Sequence, residues 1–314
     1  MFKNQTTVTE FILLGFGEFY KVQKLLFLTF LMVYVVTITG NILIFLLVVF
    51  EQHLHSPMYF FLANLSFLEA CCSSNIFPRV LSALLTEDRR ISFHSCFLQW
   101  YLFASLEAAE CCLLCVMSYD RYLAICKPLY YVTLMKTSTC IHLAAVSWII
   151  GFVTVIIIPA LMLQLTFCSH NEMDHYFCDY FPLLKLSCSD THLMETVAYF
   201  VAFVFTAPPF LLTLTSYAYI IAAIMKIPST TGRQKAFSTC SSHLVVVSMF
   251  YGSLMIVYMI PNTMVKRNMQ KFSSLLYTVL PPLANPFVYS LRNKEVKEAL
   301  KKNIGRFIFL TKYI

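Results

Sequence analysis

Residues 107–128 read EAAECCLLCVMSYDRYLAICKP and overlap the end of an apolar run from about Ser95 to Ser118. At roughly 100° of turn per helical residue, Glu107, Glu110 and Arg121 fall within about 60° of one another on one stripe. Charged side chains are costly in a membrane and face the interior of a bundle there. The stretch therefore predicts a central membrane helix with carboxyl groups at mid-depth and an arginine toward one end.

The composition indicates a membrane protein. Of the 314 residues, 59% are hydrophobic and only 12% are charged, and the mean hydropathy is +0.70. A soluble domain of this size needs more charge to cover its surface, so lipid is the expected solvent. A soluble helical bundle is the alternative, and successive runs without a polar face disfavour it. The net charge of +7 fits anionic lipid head groups or an acidic partner surface, and we expect no nucleic acid partner.

Seven apolar runs are each long enough to cross a membrane as a helix, which satisfies its own backbone hydrogen bonds in lipid. The runs extend from Lys24 to Glu51, His55 to Arg79 with an end at Pro78, Ser95 to Ser118, Cys140 to Leu163, Thr196 to Met225, Ala236 to Ile260, and Phe272 to Leu291. We expect an all-α membrane protein with one domain over 1–314, in which a seven-transmembrane helix bundle occupies 25–291. The tail 292–314 repeats apolar residues every four positions among lysines, which predicts a short amphipathic C-terminal helix.

Several features predict an extracellular amino terminus (1–24) and a cytoplasmic tail. Asn4 begins an N-glycosylation triplet, and Lys and Arg are slightly more numerous in the segments that would then lie inside. No cleavable signal peptide is evident. Four cysteines would lie outside, which implies two disulfides in one of three pairings: Cys96, Cys168, Cys178 and Cys188. We interpret the long loop before the fifth run as a disulfide-stapled lid.

Buried carboxyl groups form a second predicted cluster. Glu69 in the second run and Glu110 in the third lie at comparable depth, because these helices run antiparallel. Two such groups either share a proton or bind a cation, with Asn41 and Asn285 as polar companions. A hydrogen-bonded structural cluster without an ion is the alternative. Both arrangements can repack when helices shift.

Longer motifs occur across the whole chain. They are GN at 40–41, PMYFFL at 57–62, MSYDRYLAICKPL at 117–129, KAFSTCSSH at 235–243, FYG at 250–252 and PLANPFVYSLRN at 282–293. In this combination the chain resembles the vertebrate odorant receptors of the rhodopsin-like class A G protein-coupled receptors, and within them the tetrapod-type class II. The resemblance implies a plasma-membrane receptor that binds small odorants and activates a heterotrimeric stimulatory G protein to raise cyclic AMP.

The resemblance also implies roles for individual residues. It pairs Cys96 with Cys178 and Cys168 with Cys188, and it makes Glu69 and Glu110 a candidate Na⁺ site. Asp120 and Arg121 would form an ion pair that opens on activation. The full set of implied G-protein switch residues is Asp120, Arg121, Tyr122, Tyr217, His243, Asn285, Pro286 and Tyr289.

A ligand pocket is implied between the third, fifth, sixth and seventh helices. The residues that match its walls are Phe103, Ala104, Glu107, Ala108, Ala202, Phe203, Tyr251, Leu254, Met255, Tyr258, Tyr277 and Thr278. Such a wall suits a small hydrophobic volatile held by dispersion and few polar contacts.

The chain departs from the family pattern at several positions. Glu69 replaces a more usual Asp, Ala284 replaces a common Leu, and the loop 51–55 lacks its usual basic residue. Tyr251 replaces the Trp of most other rhodopsin-like receptors. Phe103 stands where amine receptors carry their amine-binding Asp, which argues against an ordinary monoamine ligand.

Glu107 leaves two interpretations open. Ionised, it would select amines or another donor group; protonated, it would bond to a neighbouring helix. Other functions are also weighed: a non-olfactory rhodopsin-like receptor, and a secondary transporter that uses the intramembrane carboxyls, although no half-repeat is detectable. An enzyme is not expected, because no nucleophile–base pairing or metal-ligand spacing occurs.

Overall fold

A computed structural model describes residues 8–16, 22–167, 170–259, 267–292 and 294–311. Asn4 and Cys168, and the predictions made for them, lie outside the described residues. The helices are α1 (Gln23–Phe50), α2 (Pro57–Thr86), α3 (Phe93–Cys126), α4 (Pro128–Leu134), α5 (Thr137–Val155), α6 (Ile157–Met162), α7 (Tyr180–Leu184), α8 (His192–Met225), α9 (Thr230–Leu254), α10 (Arg267–Thr278), α11 (Leu280–Arg292) and α12 (Lys294–Thr311). The strands are β1 (Glu10–Leu13), β2 (Arg90–Ser92) and β3 (Glu172–Met173).

The all-α membrane fold is confirmed. Within the described residues, five helical stretches are long and apolar enough to cross a membrane on their own: α1, α2, α3, α8, and α5 together with α6. The sixth predicted span is α9 with a π-helical turn at Met255–Met259, and the seventh is α10 followed by α11. The C-terminal helix is α12.

Prolines decide where two of the spans break. A helical proline clashes with the carbonyl four residues earlier. In a continuous helix, Pro159 would clash with the carbonyl of Val155, and α5 ends at Val155. Pro282 would clash in the same way with the carbonyl of Thr278, where α10 ends. Pro78 behaves differently from its prediction, because α2 continues through it to Thr86.

Close helix contacts fix the bundle at two glycines. A Cβ atom on Gly40 of α1 would lie 2.8 Å from Cβ of Pro286 in α11, and one on Gly151 of α5 would lie 2.6 Å from the backbone oxygen of Ser105 in α3. Both distances are shorter than real contacts allow. Larger residues would therefore push these helices apart.

A three-stranded sheet covers one end of the bundle, in the order β2-β1-β3. β1 pairs antiparallel with β2, where Phe11 faces Ile91, and parallel with β3, where Leu13 faces Met173. Phe11 and Leu13 point inward and are buried. The loop before α8 contributes β3 and α7, so the predicted lid is shared with the amino-terminal segment. We call this the disulfide end, because Cys96 and Cys178 are bonded there with Cα atoms 5.4 Å apart.

The opposite end, the ion-pair end, holds Asp120 and Arg121. There α12 is tied to the end of α1 by Glu51, whose carboxylate accepts hydrogen bonds from Lys302 Nζ and Asn303 Nδ2, each at 2.9 Å. These two bonds lower the pKa of Glu51. Val296 is buried against the bundle while Lys297 is exposed, as an amphipathic helix requires.

Candidate functional site

A cavity of about 100 Å³ lies near the disulfide end between α3, α6, α7 and α8. Six of the predicted pocket residues line it: Phe103, Ala104, Glu107, Ala108, Ala202 and Leu254. The α3 residues predicted for the ligand pocket thus line this cavity, and ligand binding there stays a prediction.

Other predicted wall residues lie elsewhere. Phe203 is 55% exposed on the outer surface of α8. Tyr251, Met255, Tyr277 and Thr278 are not among the residues that line this cavity. The side chain of Tyr258 lies outside the described residues.

Aromatic packing explains why the cavity avoids α10. The ring centroid of Phe103 lies 5.4 Å from that of Phe177 and 5.6 Å from that of Tyr277, so these rings fill the space between α3 and α10. Thr278 is occupied by a hydrogen bond with the Tyr176 hydroxyl at 2.9 Å. The open volume consequently lies toward α6 and α8.

The remaining lining residues of the cavity were not predicted from the sequence. They are Trp100, Cys111, Val155, Ile158, Tyr180, Phe181, Ala198, Tyr199, Val201, Phe205 and Thr206. Trp100 was accessible to sequence reasoning, because it precedes Ala104 by one helical turn on the same face. Tyr180 and Phe181 were not, because a loop gives no periodicity from which to place them.

The polar core lies farther along α3. Asn285 Nδ2 donates to Glu69 Oε1, and the carboxyl groups of Glu69 and Glu110 interact directly. Asn41 Nδ2 donates to the Pro282 oxygen at 2.9 Å. The predicted cluster of Glu69, Glu110 and Asn285 thus comes together, and Asn41 instead holds α1 to the start of α11.

The oxygen atoms of this core fit a hard monovalent cation. Among the described residues, Glu110 Oε1, Asn285 Oδ1 and Ser73 Oγ are buried without a hydrogen-bond partner. Hard cations take oxygen ligands of these types. No group of three or more His, Cys, Asp or Glu in the described part of the chain has the arrangement of a metal site. The buried oxygen atoms are therefore of the ligand type that a hard cation takes, and a bound ion stays a prediction.

The ion-pair end contains the predicted contact between Asp120 and Arg121. Arg121 Nη2 lies 2.9 Å from Asp120 Oδ2, and the Tyr131 hydroxyl donates to Asp120 Oδ1, also at 2.9 Å. Asp120 is fully buried and Arg121 nearly so. Through the Tyr131 hydroxyl, Asp120 links the end of α3 to α4.

The other residues predicted to take part in the switch make the following contacts around this pair. The Tyr217 hydroxyl and His243 Nδ1 lie 2.6 Å apart and link α8 to α9. Tyr289 is buried, and its hydroxyl has no hydrogen-bond partner among the described residues. Pro286 packs on Gly40, and Tyr122 packs edge-on against Tyr219 at 5.9 Å. The structure describes these contacts; their switching roles stay predictions.

The loop around Cys178 carries two groups with shifted pKa values, His175 before the disulfide and Asp179 after it. Burial raises the pKa of Asp179 to about 6, although its carboxylate accepts from the Tyr180 amide and the Tyr277 hydroxyl. Burial, assisted by Lys271, lowers the pKa of His175 to about 3. The His175 ring also contacts the Ser274 hydroxyl at 3.1 Å. Neither residue was singled out by sequence reasoning for a role.

The cysteines largely follow their predictions. The Cys96–Cys178 disulfide is confirmed. The pairing of Cys168 with Cys188 remains a prediction, because Cys168 is outside the described residues. Eight further cysteines, which lie within the described helices, are free thiols.

Known proteins resemble this chain over nearly its full length. The family model for the olfactory receptor matches residues 30–306. Olfactory receptor 1M1 of Mus musculus is 46% identical over 306 residues, which cover 98% of both chains. Olfactory receptor 2AP1 of Homo sapiens is 46% identical over 308 residues, 98% of this chain and 100% of the relative. Olfactory receptor 2B6 of Mus musculus is 47% identical over 309 residues, 98% of each.

Proposed function

Because the chain belongs to the olfactory receptor family, we propose that it binds small hydrophobic volatiles in the α3–α8 cavity and activates a stimulatory G protein that raises cyclic AMP. Members of this family are receptors rather than enzymes, and the chain is a multi-pass membrane protein. The cavity supports the ligand class, since its lining is mostly aromatic and aliphatic.

One observation carries the proposal. The same continuous helix, α3, supplies the cavity wall at Phe103 and Glu107 and the ion pair at Asp120 and Arg121. A ligand that shifts α3 against its neighbours therefore changes the geometry around Arg121. Release of Arg121 from Asp120 would free a cationic side chain for a G protein.

The orientation of the termini belongs to the same proposal. Disulfides persist on oxidising faces, so the disulfide end is assigned to the outside of the plasma membrane. The ion-pair end and α12 then face the cytoplasm, where basic residues of α12 meet anionic lipid.

We further propose that the polar core binds Na⁺ through Glu69 and Glu110. The bound ion would supply positive charge that lets the two neighbouring carboxyl groups ionise together. Glu69, Glu110 and Asn285 come from three different helices, so holding them around one cation would stabilise a single arrangement of α2, α3 and α11.

The test is a cyclic AMP assay in cells that express the full chain and are exposed to a panel of volatiles. We expect concentration-dependent responses to several small hydrophobic compounds, and their loss in Arg121→Ala at equal surface expression. A surface-expressed receptor that answers no volatile, or an Arg121→Ala variant that still signals fully, would contradict the proposal. Uptake of radiolabelled volatiles or cations driven by a proton gradient would instead indicate a transporter.

A further inference from the structure

The described lining of the cavity contains an acid but no base. Among the described residues that line it, Glu107 is the one acidic side chain, and none of them is basic. Glu107 Oε2 has no hydrogen-bond partner in the described part of the chain, and Oε1 has only the Cys72 thiol, 4.0 Å away. The carboxyl group thus borders the cavity without a protein partner of opposite charge.

Its neighbours are acidic as well. Glu107 interacts electrostatically with Glu110, and Glu69 interacts with Glu107. No described lining residue offers a cation to an anionic ligand. A ligand with a positive charge would instead stabilise the ionised form of Glu107, because an opposite charge nearby favours a carboxylate.

Aromatic rings make up much of the lining of the same cavity. Trp100, Tyr180, Phe181 and Tyr199 form a continuous aromatic series, with successive ring centroids 5.4 to 5.5 Å apart. The Tyr180 hydroxyl is already used, because it donates to the Met194 oxygen at 2.6 Å. Aromatic faces attract cations, and together with a carboxylate they form a familiar site for ammonium groups.

We propose, building on the function proposed above, that the ligands of this receptor include small volatile amines whose nitrogen pairs with Glu107. The apolar body of the amine then lies among the aromatic rings. A neutral amine takes the proton of a protonated Glu107, or an ammonium ion meets the carboxylate. Both routes give the same ion pair with no net charge, which limits the cost of burial.

The depth of Glu107 determines the size of amine. The acid lies one helical turn beyond Phe103, the position at which amine receptors carry theirs, and so farther from the disulfide end. Phe103 is packed against Phe177 and Tyr277, so the ligand must extend toward α8. Compact amines of about ten heavy atoms or fewer fit this geometry better than long ones.

Matched ligands and variants test the inference. Cyclohexylamine and cyclohexanol share one skeleton and differ in the basic nitrogen, as do hexylamine and 1-hexanol. We expect wild type to respond to each amine at about tenfold lower concentration than to its alcohol, because charge-assisted hydrogen bonds are roughly twice as strong as neutral ones. In Glu107→Gln the amine response should weaken by about 10- to 100-fold, while the alcohol response stays within about threefold.

Further variants separate charge from shape. Glu107→Asp keeps the charge on a shorter side chain and should give an intermediate amine response. Thr206→Val removes the hydroxyl of another lining residue without changing charge, and it should leave the amine-to-alcohol ratio unaltered. Surface labelling normalises all responses to receptor number.

Binding is also measured without signalling. The purified full chain in lipid nanodiscs is heated with each amine or alcohol, and the ligand-induced rise in denaturation temperature is compared between wild type and Glu107→Gln. An amine-selective rise that Glu107→Gln abolishes supports the inference even if no cyclic AMP is produced, an outcome that would overturn the proposed function instead. Equal effects of Glu107→Gln on amines and alcohols, or no amine preference in wild type, would overturn the inference and leave the odorant receptor function standing.

Discussion

The Tyr251 hydroxyl donates a hydrogen bond to the carbonyl oxygen of Cys111, 2.9 Å away, and thereby fixes α9 against α3 beside the cavity. Cys111 itself lines the cavity, and so does Leu254, three residues beyond Tyr251 on α9. A ligand in contact with either residue therefore acts directly on the junction of these two helices.

Tyr251→Phe should raise signalling in the absence of ligand. The ring stays in place while the junction loses one buried hydrogen bond, about 0.5–1.5 kcal/mol. That energy corresponds to a shift of roughly 2- to 10-fold in the equilibrium between an inactive arrangement, in which α9 is bonded to α3, and an active arrangement without this bond. Basal cyclic AMP per surface receptor measures this shift. A basal level equal to wild type would show that the bond does not stabilise the inactive arrangement.

Substitutions at the ion-pair end should raise basal cyclic AMP to different extents. Asp120→Asn removes the charge that pairs with Arg121, whereas Tyr131→Phe removes only one hydrogen bond to Asp120. We expect basal cyclic AMP to rise in both, and more in Asp120→Asn. Loss of the charge weakens both the Arg121 contact and the Tyr131 hydrogen bond, whereas Tyr131→Phe removes one charge-assisted hydrogen bond of about 1.5–3 kcal/mol. If basal cyclic AMP rose more in Tyr131→Phe, the Tyr131 hydrogen bond rather than the ion pair would be the main contact that stabilises the inactive arrangement.

Sodium should stabilise the polar core. Replacing Na⁺ by the bulky N-methylglucamine cation is expected to lower the denaturation temperature of the purified receptor. Glu69→Gln, which keeps the shape of the side chain and an oxygen acceptor for Asn285, should abolish this sodium dependence. If wild type and Glu69→Gln respond equally to sodium, the cation binds elsewhere and the core is a structural hydrogen-bonded cluster.

Asp179 should make the disulfide end less stable as the pH rises. Burial raises the pKa of its carboxyl from 3.8 to about 6, so the folded chain holds a proton that the unfolded chain has released. The stabilisation is complete below about pH 4 and lost above about pH 6, and the shift amounts to about 3 kcal/mol. Asp179→Asn keeps an oxygen acceptor for the Tyr180 amide but cannot ionise. It should denature at a higher temperature than wild type at pH 7.5, and the difference should shrink at pH 5.

His175 is a second titrating group for which that experiment must control. Its pKa is lowered from 6.5 to about 3, so it destabilises the folded state as the pH falls below 6.5, opposite in sign to Asp179. The pH profile of wild type alone therefore mixes two opposing effects. Comparing Asp179→Asn with wild type at each pH cancels the histidine contribution. A difference that does not change with pH would contradict the assignment to Asp179.

Glu51 should hold α12 in place. Glu51→Ala removes the acceptor for Lys302 and Asn303, so amide hydrogen exchange in α12 should become faster. Glu51→Gln keeps an oxygen acceptor for Asn303 and should show a smaller increase. Unchanged exchange in both variants would mean that the apolar face around Val296 and Ala299 suffices to dock the helix.

The helical fold was predictable because hydropathy and length define a membrane helix locally. The break at Val279 and the continuation of α2 through Pro78 were not, since the outcome depends on whether neighbouring helices compensate the lost hydrogen bond. The strand Glu10–Leu13 escaped prediction because four residues carry little pattern and its partners are remote in sequence.

The candidate site was predictable along α3 and less so across from it. The stripe of Glu107, Glu110 and Arg121 follows from helical periodicity, and Glu107 and Glu110 lie at the cavity and the polar core. Tyr277 does not line the cavity, because its ring packs against Phe103, and such side-chain packing between α3 and α10 cannot be read from the sequence. Phe203 lies on the exposed face of α8, beside the lining residue Ala202.

The order of the small sheet has a consequence for biosynthesis. β1 is made first, yet it is the central strand, and its bond from the Asn171 side chain to the Glu10 oxygen spans 161 residues of sequence. The ribosome must therefore deliver α1 to α6 before this strand can pair on both edges. Contacts that close such long loops form slowly and leave strand edges exposed meanwhile. Changes in residues 10–13 should consequently impair export from the endoplasmic reticulum, although these residues touch neither the ligand cavity nor the ion pair.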